Sequence, residues 1–385
     1  MILAMTLFVR NEEDIIESNL VYHLERGVDI IVATDNRSED GTTSILERYA
    51  REGHVRLLRE DTDSYSQPRA MELMAHIAAD EYGADWVINN DADEFWWPRE
   101  GSLKELLSTV PDCYGALTAS RVNFVARPQD GTAFSERMIF AKVREVSGME
   151  PKASFKYPFD RYAHYVMPKV AHRGRREVGI VDASHGVIGE GLAPVPGWFP
   201  VDILHFPLRS YAHFEAKVRN GGRALERHPD QSFNPHLREL YDLYQRGALP
   251  EYWEDKVFDD DAVATGIADV RLTVDRRLER WFRERRGSDG PSSEEALPEW
   301  AEPSRLEASM LRAITVGEWH ESRARKLERQ LAKRAEQMER LERRMEKVRE
   351  ESREVAARLA ELEASKWWGS RLASRARHPT RSKTP

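Results

Sequence analysis

The chain has 385 residues, 41% of them hydrophobic, which is room for one sizeable catalytic domain with appendages or for two ordinary domains. Its net charge of −8 argues against a general affinity for nucleic acid, and its 32% charged fraction, above the usual quarter or so, is concentrated in the last third. The single cysteine, Cys113, excludes an intramolecular disulfide framework and any multi-cysteine zinc site, and reads as a buried structural thiol.

The opening MILAMTLFV is too short for a signal h-region or a membrane span, and no later apolar run reaches about eighteen residues, so a cytoplasmic protein is expected. Residues 2–9 read as a buried strand. Asn11 reads as an N-cap, with Glu12, Glu13 and Asp14 in the first turn of a helix whose apolar face carries Ile16, Leu20 and Leu24 and whose end is marked by Gly27. A second strand at 29–33 ends in Thr34-Asp35-Asn36. A turn SEDGT, a helix at 42–50, a third strand at 55–58, a helix at 68–82 stopped by Gly83, and a fourth strand at 86–90 follow.

This β-α-β-α-β-α-β order with short links predicts an α/β fold: a Rossmann-like, mostly parallel sheet flanked by helices. Ligands of such sheets bind beyond the carboxyl ends of the strands, where DNRSEDGT and DADE both fall. Between 101 and 253 the pattern is irregular, with short apolar runs at 115–119 and 201–204 and a helix at 211–225. Residues 256–318 read as an acidic, proline-interrupted helical extension with a linker-like GSDGPSSEE.

Residues 319–364 lack Gly and Pro. Alternate steps of four and three from Leu327 reach Leu331, Arg334, Met338, Leu341, Met345, Val348, Ser352, Val355, Leu359 and Leu362, a heptad seam that predicts a coiled coil and a homo-oligomer. A single charged helix held by i,i+4 pairs is the alternative reading, kept open by Arg334 and Ser352. The tail, KWWGSRLASRARHPTRSKTP, is basic and carries paired tryptophans, a composition suited either to peripheral contact with an anionic membrane face or to a free tail. The expected domains are 1–255, 256–318, 319–364 and 365–385.

The stretch NNDADEFWWP ends the fourth strand by crowding acids together. On an extended strand end, Asp91 and Asp93 face the same side and can converge on one hard cation, Mg2+ or Mn2+, which in turn holds a diphosphate and neutralises its charge as it departs.

Four segments, in order, carry a resemblance. LFVRNEEDIIESNL, ATDNRSEDGT and ADWVINNDADEFWWP, followed by ILHFPLRSYAHFEAKV, resemble a GT-A-fold glycosyltransferase of the family 2 type, nearest the bacterial branch whose metal motif reads D-x-D-E-F, over roughly residues 1–225. The resemblance implies a metal-dependent, inverting transfer of sugar from a nucleotide-sugar donor to a hydroxyl of a glycan or lipid-linked, cell-surface acceptor, as in polysaccharide biosynthesis. It implies that Asp35 reads the nucleotide base and that Arg10, Asn11, Arg69, Asp91 and Arg209 line the nucleotide and its phosphates. Asp91, Asp93 and His205 are the implied metal ligands, with His185 a rival to His205.

The family's E-D base motif is absent. Asp182, Asp160, Glu177 and Glu94 are the candidates, Asp182 favoured as the base and Glu94 either a base or an orienter of the metal shell. A non-catalytic assembly protein with a degenerate transferase domain stays open for that reason. A sugar nucleotidyltransferase is disfavoured, because V-R-N-E-E-D follows the first strand where a Gly-rich triphosphate loop is needed.

Overall fold

A computed structural model describes residues 1–60, 67–143, 161, 168–181, 185–195, 201–227 and 235–287, together with 340, 343–347, 349–350, 353–354 and 357–358. The chain forms two compact units, Met1–Trp319 and His320–Pro385.

In the first unit, β1 (Leu3–Val9), α1 (Ile16–Glu25), β2 (Ile30–Asp35), α2 (Thr42–Arg51), β3 (Val55–Arg59), α3 (Gln67–Asp80) and β4 (Trp86–Asn90) follow the predicted order. Leu3, Met5, Leu7 and Val9 of β1 join one core cluster with Ile16 and Leu20 of α1 and Leu46 of α2, whereas Ala4 joins a second with Met71, Met74 and Ala78 of α3. Alternate residues of one strand thus feed opposite faces, which is why these strands read as unbroken apolar runs. Gly27 ends α1 at φ +98°, a conformation that disfavours side chains.

The helix start differs from the expected one. Asn11 takes φ +56° and spends its Oδ1 on the amide of Glu39, so α1 begins only at Ile16, with Ile15 at the N-cap position and no side-chain cap.

Seven further strands follow: β5 (Glu94–Pro98), β6 (Ala116–Asn123), β7 (Phe140–Lys142), β8 (Lys169–Arg173), β9 (Gly179–Val181), β10 (Gly186–Ile188) and β11 (Val201–His205). The main sheet has the order β3-β2-β1-β4-β8-β6-β11-β5. The pairs β1/β2, β2/β3, β1/β4 and β6/β11 are parallel; β4/β8, β8/β6 and β11/β5 are antiparallel. The α/β fold class is as expected, with the antiparallel strands confined to one half.

That order forces curvature. Only Asp91, Ala92 and Asp93 separate β4 from β5, so their ends lie within about 14 Å. A flat sheet would set them four strand spacings apart, about 19 Å. The sheet curls, and side chains from β4, β5, β6, β8 and β11 converge on its concave face beyond the β4 carboxyl end.

Helices α4 (Leu103–Ser108), α5 (Phe134–Arg137), α6 (Tyr211–Arg227), α7 (Pro235–Gln245), α8 (Leu249–Lys256), α9 (Asp260–Ala268) and α10 (Arg277–Arg285), with β12 (Leu272–Val274), complete the described unit. The region beyond 255 is built into it as far as Gly287: β12 pairs with β7, Leu278 lies in the main core, and Arg277 donates to Asp202 at 2.8 Å. Cys113, expected buried, is exposed, because it sits on a turn between α4 and β6 rather than within either. No helix of the described residues is long and apolar enough to cross a membrane.

In the second unit the described positions, all between 340 and 358, are helical and exposed. Most of the heptad seam and all of the basic tail lie outside the described residues.

Candidate active site at the β4–β5 turn

The acidic motif is a reverse turn and not an extended strand end: the amide of Glu94 donates to the carbonyl of Asp91 at 3.1 Å. Convergence of the two aspartates therefore comes from the turn, which a buried polar scaffold on α1 holds in place. Nδ2 of Asn19, itself fully buried, donates to the carbonyls of Ala92 (2.9 Å) and Glu94 (2.8 Å). Asn90 donates to Asn19 Oδ1 and accepts from the indole of Trp96 at 3.1 Å. The amide of Trp96 donates to His23 Nε2, so the His23 Nδ1–H donates to the Asn19 carbonyl at 2.9 Å. Burial lowers the His23 pKa to about 4, keeping the ring neutral for this role. The apolar face of α1 was legible in sequence; this polar face was not.

Asp93 is 4% exposed. His205 Nε2 stands 3.7 Å from its Oδ1, while Arg209 Nη1 (3.9 Å) and Lys217 Nζ (3.7 Å) face its Oδ2. Among the described residues none hydrogen-bonds this carboxylate. Burial alone would raise its pKa, but Lys217, Arg209 and His213 outweigh it and hold Asp93 below the usual carboxylate range. Nδ1–H of His205 donates to Asn123 Oδ1 at 2.7 Å, which turns an unprotonated Nε2 towards Asp93. Burial, then Arg121 and Lys217, push the His205 pKa well below its ordinary value. A lone pair and an anionic oxygen therefore confront each other across a gap that a cation would satisfy.

Asp91 faces elsewhere. Its Oδ2 accepts from Nζ of Lys169, the first residue of β8, at 2.5 Å. Lys169 has no exposed surface and also lies 3.3 Å from Glu94 Oε2, and Arg121 Nη1 is 3.4 Å from Glu94 Oε1. Burial favours neutral forms here, yet Lys169 holds the Asp91 pKa below its usual value, and Asp91 with Glu94 raises that of Lys169. Glu94, fully buried and with no hydrogen bond to Oε2, is pushed by desolvation up to about 7. Asp91, Asp93 and His205 do not form a preassembled three-ligand set.

Arg209 is 2% exposed and engaged by several acceptors. It donates from Nε to Asp14 Oδ2 (2.7 Å), from Nη1 to the Phe206 carbonyl (3.1 Å), and from Nη2 to Glu12 Oε2 (2.5 Å) and Asp14 Oδ1 (2.9 Å). It also lies 3.0 Å from His213 Nε2. Glu12, Asp14 and His213 bring potential ligand atoms within 4.8 Å of one another, but the guanidinium is already the cation at their centre. Arg209 thus latches the β1–α1 loop to α6 through Nε and Nη2, and its Nη1 faces Asp93.

Asp35, at the carboxyl end of β2, accepts from the amide of Ser38 (3.0 Å) and from the hydroxyl of Thr43. Asn11 braces the same loop, its amide donating to Ser38 Oγ at 3.0 Å. Arg10 is half-buried at the end of β1 with a buried, unpartnered Nε, and Arg69 is exposed on α3. His185 donates from Nδ1–H to the Pro168 carbonyl (2.8 Å), and burial followed by Lys169 lowers its pKa to about 3. Glu177 is exposed; Asp160 and Asp182 lie outside the described residues.

Lys169, Arg121, Asn123, Asn19 and Lys217 were missed in sequence. Lys217 had a signal, since Arg209, just before α6, and His213 and Lys217 on it recur every four residues. Lys169 had only its oddity as a lysine opening the apolar stretch KVAH.

No family model and no curated protein matches this chain. Among solved structures, S. aureus TarS 1-349 aligns at 13% identity over 74% of this chain and 92% of that one, with a TM-score of 0.31. Its complex with UDP-GlcNAc aligns at 16% over 34% of this chain, with a TM-score of 0.24, so the chain spans about a third (36%) of that structure's length. The mannosyltransferase PcManGT from Pyrobaculum calidifontis, in complex with GDP-Man and Mn2+, aligns at 16% over 82% of this chain and 85% of that one, with a TM-score of 0.29.

Proposed function

We propose that this chain is a divalent-metal-dependent glycosyltransferase of the GT-A type, moving a sugar with inversion from a nucleotide-sugar to a hydroxyl of a glycan or lipid-linked acceptor. The observation that carries this reading is the gap between Asp93 and His205: a buried carboxylate held ionised without a hydrogen bond, facing an unprotonated imidazole nitrogen at 3.7 Å. Oxygen from Asp93 and nitrogen from His205 fit Mn2+ or Mg2+ with the remaining positions taken by water and phosphate oxygens. When bound, the ion supplies charge neutralisation to the departing diphosphate.

The chain's own residues do the rest. Lys217, half-exposed beside Asp93, is placed to meet a phosphate oxygen. Asp35, at the next strand end but one along the sheet, offers its remaining acceptor capacity to the base. Lys169 holds Asp91, and Glu94 holds Lys169; with no exposed surface, Glu94 is assigned to this positioning and not to proton transfer. The base remains assigned to Asp182 from its place in the sequence. The heptad region and basic tail are assigned to self-association and to peripheral contact with the inner membrane face.

Calorimetry with UDP and GDP, with and without Mn2+, tests the reading. Metal-dependent nucleotide binding that disappears in Asp93→Ala, with the far-ultraviolet circular dichroism unchanged, is expected. Nucleotide binding in neither condition would leave the assembly-protein reading in its place.

A further inference from the structure

The nitrogens that border Asp93 differ in how firmly they are held. Arg209, with a side chain 1% exposed, is pinned by Glu12, Asp14 and the Phe206 carbonyl. His205 is fixed by Asn123. Lys217 Nζ stands 3.7 Å from Asp93 Oδ2 on a side chain that is 58% exposed, and Asp93 is the acid with which it ion-pairs among the described residues.

The helix beneath Lys217 is well anchored. Phe214 and Val218 of α6 belong to one apolar cluster with Leu240 and Leu243 of α7 and Leu249 and Tyr252 of α8. At Gly222, one turn on from Val218, the ring of Tyr241 fills the space that a side chain would take. The backbone of α6 is thus held from behind, and what can move is the four-carbon stem of Lys217, which carries its charge from one acceptor to another.

A divalent ion between Asp93 and His205 would share one carboxylate with that ammonium. Two cations there repel, and around the buried Asp93 screening is weak. Lys217 relieves the repulsion by swinging away, and the swing is favoured once another anion accepts the ammonium. A diphosphate bound to the ion is such an anion.

We propose that Lys217 is an internal counter-cation that competes with the metal: it neutralises Asp93 in the metal-free chain and transfers to the diphosphate when metal and nucleotide bind together, so that each ligand strengthens the other. By linkage, the nucleotide then raises metal affinity by the same factor as the metal raises nucleotide affinity. The competition rests on the geometry around Asp93; the transfer to a diphosphate rests on the glycosyltransferase reading.

Mn2+ titrations of the full chain without nucleotide, followed by electron paramagnetic resonance of the free ion, test the competition. Lys217→Met is expected to bind Mn2+ about tenfold more tightly than the wild type, because a neighbouring positive charge is gone. Lys217→Arg keeps the charge and is expected to stay near the wild type. So is Arg223→Gln, which removes an exposed positive charge further along the same helix. Added UDP is expected to raise Mn2+ affinity more in the wild type than in Lys217→Met. Equal Mn2+ affinity in the wild type and Lys217→Met, Mn2+ binding by neither, or the same gain in Arg223→Gln overturns the proposal. An equal response to UDP in both overturns the transfer. Competition for Mn2+ without any binding of UDP or GDP would keep the role of Lys217 at Asp93 and remove the transferase reading instead.

Discussion

Lys169 Nζ lies 2.5 Å from Asp91 Oδ2, and the lysine has no exposed surface. A buried cation thus stands beside one aspartate of the acidic turn while the other, Asp93, faces His205. Replacing Lys169 by Met leaves Glu94, which has no exposed surface, beside the half-buried Asp91 without the cation they share. Loss of one partner from a buried ion pair costs about 3–5 kcal/mol, and urea denaturation at pH 8 is expected to show a loss of that order. An unchanged urea midpoint would mean that the pair contributes nothing to the fold.

Glu94 and His23 give stability opposite dependences on pH. The folded carboxyl of Glu94 is raised to about 7 from 4.5, so its contribution is full below about pH 4.5 and is lost as pH rises through 7. That shift corresponds to about 3 kcal/mol at most. His23 is depressed to about 4 from 6.5, so its contribution is full above about 6.5 and is lost as pH falls through 4. Glu94→Gln removes the first titration alone. Denaturation curves between pH 5 and 8 are expected to fall less steeply with rising pH in this variant than in the wild type, and parallel curves would contradict the assignment.

Asn123 fixes the tautomer of His205 through a 2.7 Å hydrogen bond. Asn123→Leu frees the ring to turn or to take the other tautomer, and Mn2+ affinity is expected to fall about 10–100-fold, the usual effect of removing an outer-shell partner. Asn123→Asp retains the acceptor and should recover most of it. Titration of Mn2+ followed by its electron paramagnetic resonance signal reads the difference.

Asn19 carries two carbonyls of the acidic turn. Asn19→Leu strands the Ala92 carbonyl in a dry interior, at about 1–3 kcal/mol, and leaves the Glu94 carbonyl held only by Asn90 Nδ2 at 3.2 Å among these side chains. A lower melting temperature together with weaker nucleotide binding is expected, since the turn and the site are one object. Wild-type nucleotide affinity in a destabilised Asn19→Leu would separate them.

The β-α order of the first ninety residues was readable because strand alternation and helical period are local, and both act on neighbouring side chains. Leu3, Met5 and Leu7 on one face of β1 with Ala4 on the other is such a pattern. The same locality explains the misreadings. Asn11 resembles an N-cap in its neighbourhood, but its side chain is claimed by Glu39, 28 residues on. Arg209 reads as a phosphate donor, while Glu12 and Asp14, 197 and 195 residues away, take its Nε and Nη2 hydrogens.

By itself the sequence determined which strand ends carry acids and that DADE follows the apolar fourth strand. Only the tertiary structure decided what each acid faces. Three residues joining strands that lie four places apart curl the sheet, and that curl brings Lys169, Arg121, Asn123 and His205 around a turn from which they are separated by up to about a hundred residues of chain. No local pattern encodes such pairings, because the charges that settle an acid's ionisation are its neighbours in space and not along the chain.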